Sequence, residues 1–259
     1  MRERDGYTFE YTSGMKVAIT RGRERFETVL EWCFGAGSKA FTPVGRIGEQ
    51  YVEHRVSWYR ESGSLGLTPG HAPARAPSAQ AAAGIVQSAA TITRCFNCHA
   101  SGVKPGPDLS AIVPGVTCER CHGPGGAHLD AGKAPILNPG RMPAAAQVAV
   151  CAECHRSPGT EFSSPMPELD DPMSIRFAPV GLSASACYLK SKTLSCLTCH
   201  DPHRDPLPAA DAFYARVCSS CHPCKRQANA MNCAACHMRK SSPAVNLTFT
   251  DRRIRVYPD

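Results

Sequence analysis

The sequence predicts two parts of different kind: a small β-rich N-terminal module, then a longer region of short α-helices and loops whose packing is supplied by something other than its own side chains. Three observations carry this. Apolar and polar residues alternate in the first sixty positions; from Cys95 onward the chain is dense in Pro, Gly and Ala with few runs of Leu, Ile, Val or Phe; and one five-residue pattern occurs six times between Cys95 and His237.

Within the module, Tyr7, Phe9 and Tyr11 alternate, the turn signal Ser13-Gly14 follows, and Lys16-Val-Ala-Ile-Thr20 reads as the second arm of a hairpin. Residues 26–34 extend as a further strand or a short helix that stops at Gly35-Ala-Gly37. The run Gly35-x-Gly37-x-x-Ala40 imitates a dinucleotide fingerprint, but no βαβ unit or later acidic partner surrounds it. Residues 51–59 form another strand, with Val52, His54, Val56 and Trp58 on one face, and Trp32 and Trp58 are packing residues. Residues 67–93, rich in Pro and Ala, read as a linker or wrapping loop. The expected divisions are therefore a β-rich module over 1–66, a linker over 67–93 and a motif-bearing domain over 94–259.

The six copies are Cys95-Phe-Asn-Cys98-His99, Cys118-Glu-Arg-Cys121-His122, Cys151-Ala-Glu-Cys154-His155, Cys196-Leu-Thr-Cys199-His200, Cys218-Ser-Ser-Cys221-His222 and Cys233-Ala-Ala-Cys236-His237. Two thiols one short turn apart can add to the two vinyl groups on one edge of a porphyrin. The next residue then lies under the ring, where a neutral imidazole binds iron. Each copy thus reads as a site for covalently attached haem c, six in all. Zinc is the competing reading, since Cys-x-x-Cys knuckles combine into four-cysteine sites, but zinc gives no reason for a histidine after every second cysteine. Disulfides are the third reading.

The fold class that follows is a multihaem cytochrome c, with stacked porphyrins as the core of the second part. Large apolar plates bury more surface than any side chain, so this part is expected to need haem to fold. Short helical turns around each motif are joined by Pro/Gly loops such as 103–107 and 123–126. The formal charge of +7 would ordinarily suggest nucleic acid or an anionic surface. Each ferric haem with two ionised propionates brings roughly one negative charge, so six nearly cancel the excess and no nucleic-acid partner is inferred. No stretch reaches the length of a membrane span.

Val116-Thr-Cys-Glu-Arg-Cys-His-Gly-Pro-Gly-Gly-Ala-His128, Ser195-Cys-Leu-Thr-Cys-His-Asp-Pro-His203 and Cys233-Ala-Ala-Cys-His-Met-Arg-Lys240 resemble multihaem cytochromes of the cytochrome c-552/c-554 type. Residues 56–59, 67–70, 177–188 and 249–255 also resemble the non-haem part of larger members. The resemblance implies a periplasmic or cell-surface electron-transfer protein that meets redox partner proteins, other cytochromes among them, and can join an oligomer or larger haem assembly. Members usually carry another motif upstream of the region that begins here. The N-terminus also lacks an apolar leader and cleavage site, so a truncated start is expected. Where Arg252 stands, and near Asn246, similar sequences have histidine.

Ten histidines, six of them proximal, leave His54, His71, His128 and His203 as second axial ligands for six irons. His128 and His203 follow rigid Pro/Gly turns, and in the resemblance both are distal ligands. His71 is the third candidate, and His54 is expected to be a packing residue. Met142, Met166, Met173 and Met238 are possible thioether donors, more often gap-fillers against a haem face. Cys33, Cys187 and Cys224 are left over, an odd number whose pairing stays open.

Two functions follow. The main one is a non-enzymatic electron carrier. The alternative is a reductase or oxidase of a small nitrogen or sulfur compound at one five-coordinate haem, with Arg120, Asp201, Arg204 and Arg252 as acid/base candidates that are more often propionate partners or solvated charges.

Overall fold

The computed structural model describes residues 2–35, 37–103, 109, 111–132, 134–156, 169–204, 211–221 and 232–258. The chain divides into two compact units, Met1–Gly115 and Val116–Asp259.

The first unit is built on antiparallel strands β1 (Arg2–Arg4), β2 (Tyr7–Thr12), β3 (Lys16–Arg21), β4 (Glu24–Phe34), β5 (Ala40–Ile47), β6 (Gln50–His54), β7 (Val56–Tyr59), β8 (Ser64–Leu67) and β9 (Gly84–Val86), in the order β1-β2-β3-β4-β5-β6-β9 with β7 and β8 attached beside β5. The expected hairpin is present, with Phe9 opposite Ile19. Residues 26–34 lie within strand β4, whose β-branched and aromatic residues suit a pleated surface. The glycine pair that imitates a nucleotide fingerprint flanks the turn between antiparallel β4 and β5, and a Cβ on Gly35 would collide with the Ala40 carbonyl.

One strand expected over 51–59 is two. Val44 pairs with Glu53 and Phe41 with Trp58, so three steps along β5 face five along its partner and two extra residues bulge out at Arg55. Arg55 is spent elsewhere. Its amide donates to Ala83, its carbonyl accepts from Thr68, and its buried guanidinium bonds Asp5 and the carbonyls of Ala72 and Ala74. Beyond the bulge Ser57 and Tyr59 are buried as well as Val56, so the one-face alternation does not persist.

Helix α1 (Ala79–Ala83), capped by the Ser78 side chain on the Ala81 amide, lies in the Pro/Ala-rich stretch. It brings Ala79, Ala82 and Ala83, with Ala76, into the core of Tyr7, Phe9, Val17, Ile19, Leu30 and Val56. Alanine's small side chain permits that close approach. Helix α2 (Ala89–His99), capped by Ser88, ends in the first motif. It docks through Ile92 and Phe96, one turn apart, against Val44, Trp32 and Phe34. A two-stranded ladder of β10 (Ala100–Ser101) and β11 (Val113–Pro114) follows.

The second unit comprises α3 (Glu119–His122), α4 (Gly126–Ala131), α5 (Ala144–His155), α6 (Ala178–Ser183), α7 (Ala186–Lys190), α8 (Asp211–Ser219), α9 (Cys233–His237), three short 3₁₀ turns, and a hairpin of β12 (Lys240–Ala244) with β13 (Leu247–Thr250). The sequence reading did not anticipate that hairpin. Among the described residues both large apolar clusters belong to the first unit. In the second, Val148, Ala152, Val180, Ala215 and Leu247 are buried, while Leu129, Leu189, Val245 and Val256 are at least 72% exposed.

Candidate functional site

Five of the six motifs sit on or at the end of a helical turn, and the fourth on the 3₁₀ turn Cys196–Thr198. In the first, second, third and sixth motifs, at 3.6 residues per turn, positions i, i+3 and i+4 share one face, so both thiols and the imidazole lie on the same side. In the second motif the His122 amide donates to the Cys118 carbonyl at 2.9 Å, and in the fourth His200 donates to Cys196 at 3.0 Å. The described cysteines are all free thiols, so the disulfide reading finds no bridge among them; Cys224, Met166 and His222 lie outside the described residues. Among the described residues no three Cys, His, Asp or Glu side chains converge as a tetrahedral zinc site requires.

Three of the histidines are oriented through Nδ1. His122 Nδ1–H donates to the Leu137 carbonyl at 2.7 Å, His128 Nδ1–H to Ala134 at 2.7 Å and His237 Nδ1–H to Arg255 at 3.0 Å, which leaves Nε2 of each ring as the free donor atom. Burial holds His99, His155 and His200 below the ordinary imidazole value, in the neutral form that binds iron. His203 faces Asp201, 3.5 Å from Nδ1, and its amide is held by the same carboxylate.

The rings of His122 and His203 are 6.0 Å apart between centroids, with planes 18° from parallel. The two rings stack as near neighbours, which brings the second motif's histidine beside His203. His71 is buried, its Nε2 has no hydrogen-bond partner, and Glu53 Oε2 lies 3.6 Å away; Glu53 also acts electrostatically on Cys95 of the first motif. His54 differs. Its Nδ1–H donates to Ala83 at 2.6 Å and its Nε2 accepts from the Tyr11 hydroxyl at 2.9 Å, so both nitrogens are engaged.

In the second unit successive motifs adjoin. Cys121 senses Cys151 and Cys154, and Arg120 reaches Glu153 at 3.5 Å. Cys196 donates a hydrogen bond to Cys151, which favours the Cys151 thiolate and pushes Cys196 up, while Ser195 donates to Gln147 of α5. Cys218, pushed up to about 11 by burial first, also interacts with Cys233 and Cys199. Asn232 ties α9 to Asp211 of α8 at 2.7 Å.

A family model described as cytochrome c554 and c-prime matches residues 69–123, which include His71 and the first two motifs. The multiheme cytochrome MtrA of Shewanella baltica (strain OS185) is 26% identical over 184 residues, 61% of this chain and 47% of its own. Both similarities are to multihaem c-type cytochromes. The chain spans about half the length of that curated relative. The crystal structure of the outer cell wall cytochrome OcwA aligns with 84% of this chain and 65% of its own, at 16% identity and a TM-score of 0.48.

Several supporting groups escaped the sequence reading. The carbonyls of Leu137, Ala134 and Arg255 carry no sequence signal, because every residue has one. Glu53 was hidden as an ordinary polar strand position. Phe34 lies 5.1 Å from the His99 ring across a fold contact that no local pattern records. Of the acid/base candidates, Arg120 pairs with Glu153, and Arg204 with Asp201 at 3.1 Å. No described helix is long and apolar enough to cross a membrane.

Proposed function

We propose that the chain is an electron relay carrying six haems c, one on each cysteine pair, and that it passes electrons between redox partner proteins, other cytochromes among them. The observation that carries this reading is the succession of attachment points: the second motif adjoins the third, the third the fourth, the fourth the fifth and the fifth the sixth. Bound there, each haem supplies a one-electron ferric/ferrous couple. The chain's own residues fix the rest.

His99, His122, His155, His200, His222 and His237 serve as proximal ligands. His203, held by Asp201, would serve as a second ligand beside His122. His71 serves the first motif, since Glu53 neighbours both its ring and Cys95, and His128 is the remaining distal ligand. Carbonyl bonds to Nδ1 of His122, His128 and His237 set the ring orientation and raise ligand basicity. The scarcity of buried side chains in the second unit supports porphyrins as its core. Covalent attachment of this kind supports a periplasmic or cell-surface location and leaves room for a larger haem assembly.

One observation favours a second reading. With both nitrogens of His54 engaged, three further histidines serve six irons, and an iron without a protein ligand can bind and reduce or oxidise a small nitrogen or sulfur compound. The full chain, made in a host with haem-maturation machinery, tests both. Intact mass should show six covalent haems, and film voltammetry six electrons per chain. No covalent haem overturns either reading, and fewer exchangeable electrons than haems overturns the relay. Carbon monoxide binding by the reduced protein at one haem or more supports the second reading, and none removes its basis.

A further inference from the structure

Arg252 stands on the short tail after β13. It packs against α6: a Cβ on Gly181 would lie 3.1 Å from the Arg252 carbonyl carbon and 3.4 Å from its Cα. The residue is mostly withdrawn from solvent, and its guanidinium donates to the Thr250 carbonyl at 3.5 Å. Its charge acts on His155 of the third motif and His200 of the fourth, and Cys196, Cys199 and Tyr214 act on it in turn. The neighbouring Asp251 acts on it electrostatically but makes no ion pair with it. Asp251 accepts instead from Arg255 at 3.3 Å, from the Tyr257 hydroxyl at 2.7 Å and from the Arg253 amide at 2.8 Å, while Arg253 pairs with Asp170. Among the described residues Arg252 forms no ion pair. A guanidinium remains protonated even when burial pulls its value down, as it does here. This position therefore holds a fixed positive charge without a direct ion-pair partner among the described residues, acting on two haem-binding motifs.

We infer that Arg252 is a potential-setting cation shared by the third and fourth motifs, raising the reduction potentials of the two haems held by His155 and His200 above the value they would have without it. The inference rests on the haem reading above. Taking one electron turns ferric iron into ferrous and lowers the charge of the centre by one, with no bond made or broken. A nearby positive charge disfavours the ferric state, and a poorly hydrated site screens that effect weakly. Two adjacent centres with raised potentials would hold electrons in the middle of the relay. A histidine at this position, neutral or iron-bound, would not do this.

The test is a spectroelectrochemical titration of the full haem-loaded chain, with haem content measured on the same samples. In Arg252→Gln two haem equivalents should become harder to reduce, their reduced-to-oxidised ratio at fixed potential falling at least tenfold, which is about 59 mV for one electron. Arg252→Lys should keep most of the wild-type curve. Gly181→Ala retains the arginine but forces its backbone away, because the new Cβ would also lie 2.9 Å from the Arg253 amide nitrogen. It should shift the same two equivalents in the same direction, by less. Six haems with unmoved curves in both Arg252→Gln and Gly181→Ala overturn this proposal alone. An equal shift in the lysine and glutamine variants, or a shift spread over all haems, also overturns it by showing a structural effect. Absence of haem from the third or fourth motif in the wild-type chain overturns the haem reading itself.

Discussion

Phe96 occupies a variable position between the two cysteines of the first motif, where attachment chemistry places no demand on it. It is 2% exposed, and its ring meets Trp32 at 5.0 Å and 84° and Phe34 at 5.0 Å and 71°. Phe96→Ala should cost about 3–5 kcal/mol from lost burial and the cavity left behind. Each edge-to-face pair adds about 0.5–1.5 kcal/mol beyond area, so Phe96→Leu, which keeps most of the volume, should cost about 1–3 kcal/mol. A domain is stable by only about 5–15 kcal/mol, so the alanine variant removes a large share. Both tryptophans of the chain, Trp32 and Trp58, lie in the first unit, so their fluorescence reports that unit. Urea unfolding of the haem-loaded protein should show emission rising as the indoles escape quenching, at a lower midpoint in Phe96→Ala than in Phe96→Leu. A loss below about 1 kcal/mol in the alanine variant would refute the idea that Phe96 anchors the motif to the sheet.

Two further outcomes are expected. His203→Ala should convert one haem from low-spin to high-spin and open it to carbon monoxide, read by electron paramagnetic resonance and absorbance; an unchanged low-spin count would show that His203 is not the partner of His122. Burial, opposed by the Ala83 hydrogen bond and aided by the neighbouring His71, lowers the pKa of His54 to about 4. The native ring is therefore neutral where the unfolded one takes up a proton. Its contribution, about 3 kcal/mol, is whole above pH 6.5 and disappears as pH falls from there towards 4. His54→Gln should flatten stability across that window, and a slope as steep as wild type would count against it.

Some expectations met the structure directly, and the reasons are local. The hairpin of residues 7–20 follows from a period of two and one turn signal. The packing roles of Trp32 and Trp58 follow from size: Trp32 meets Phe96, and Trp58 meets Phe41 at 5.8 Å. The break at Arg55 was not legible, because the bonds that divert it come from Ala83, Thr68, Ala72 and Ala74, remote in sequence. The hairpin after residue 240 was masked by Pro243 and by short strands with little alternation.

By itself the sequence carries the chemical reading: two thiols and an imidazole within five residues read as a porphyrin attachment site wherever one helical turn forms, and the pattern occurs six times. That information is carried by covalent spacing and survives any fold. The tertiary structure decided which motifs adjoin, that His203 stacks beside His122, that His54 is consumed by Tyr11 and Ala83, and that the charge of Arg252 acts on the third and fourth motifs. Those facts depend on distances between segments far apart in the chain. Such distances are set by packing and by the competition for hydrogen-bond partners, which no local pattern records.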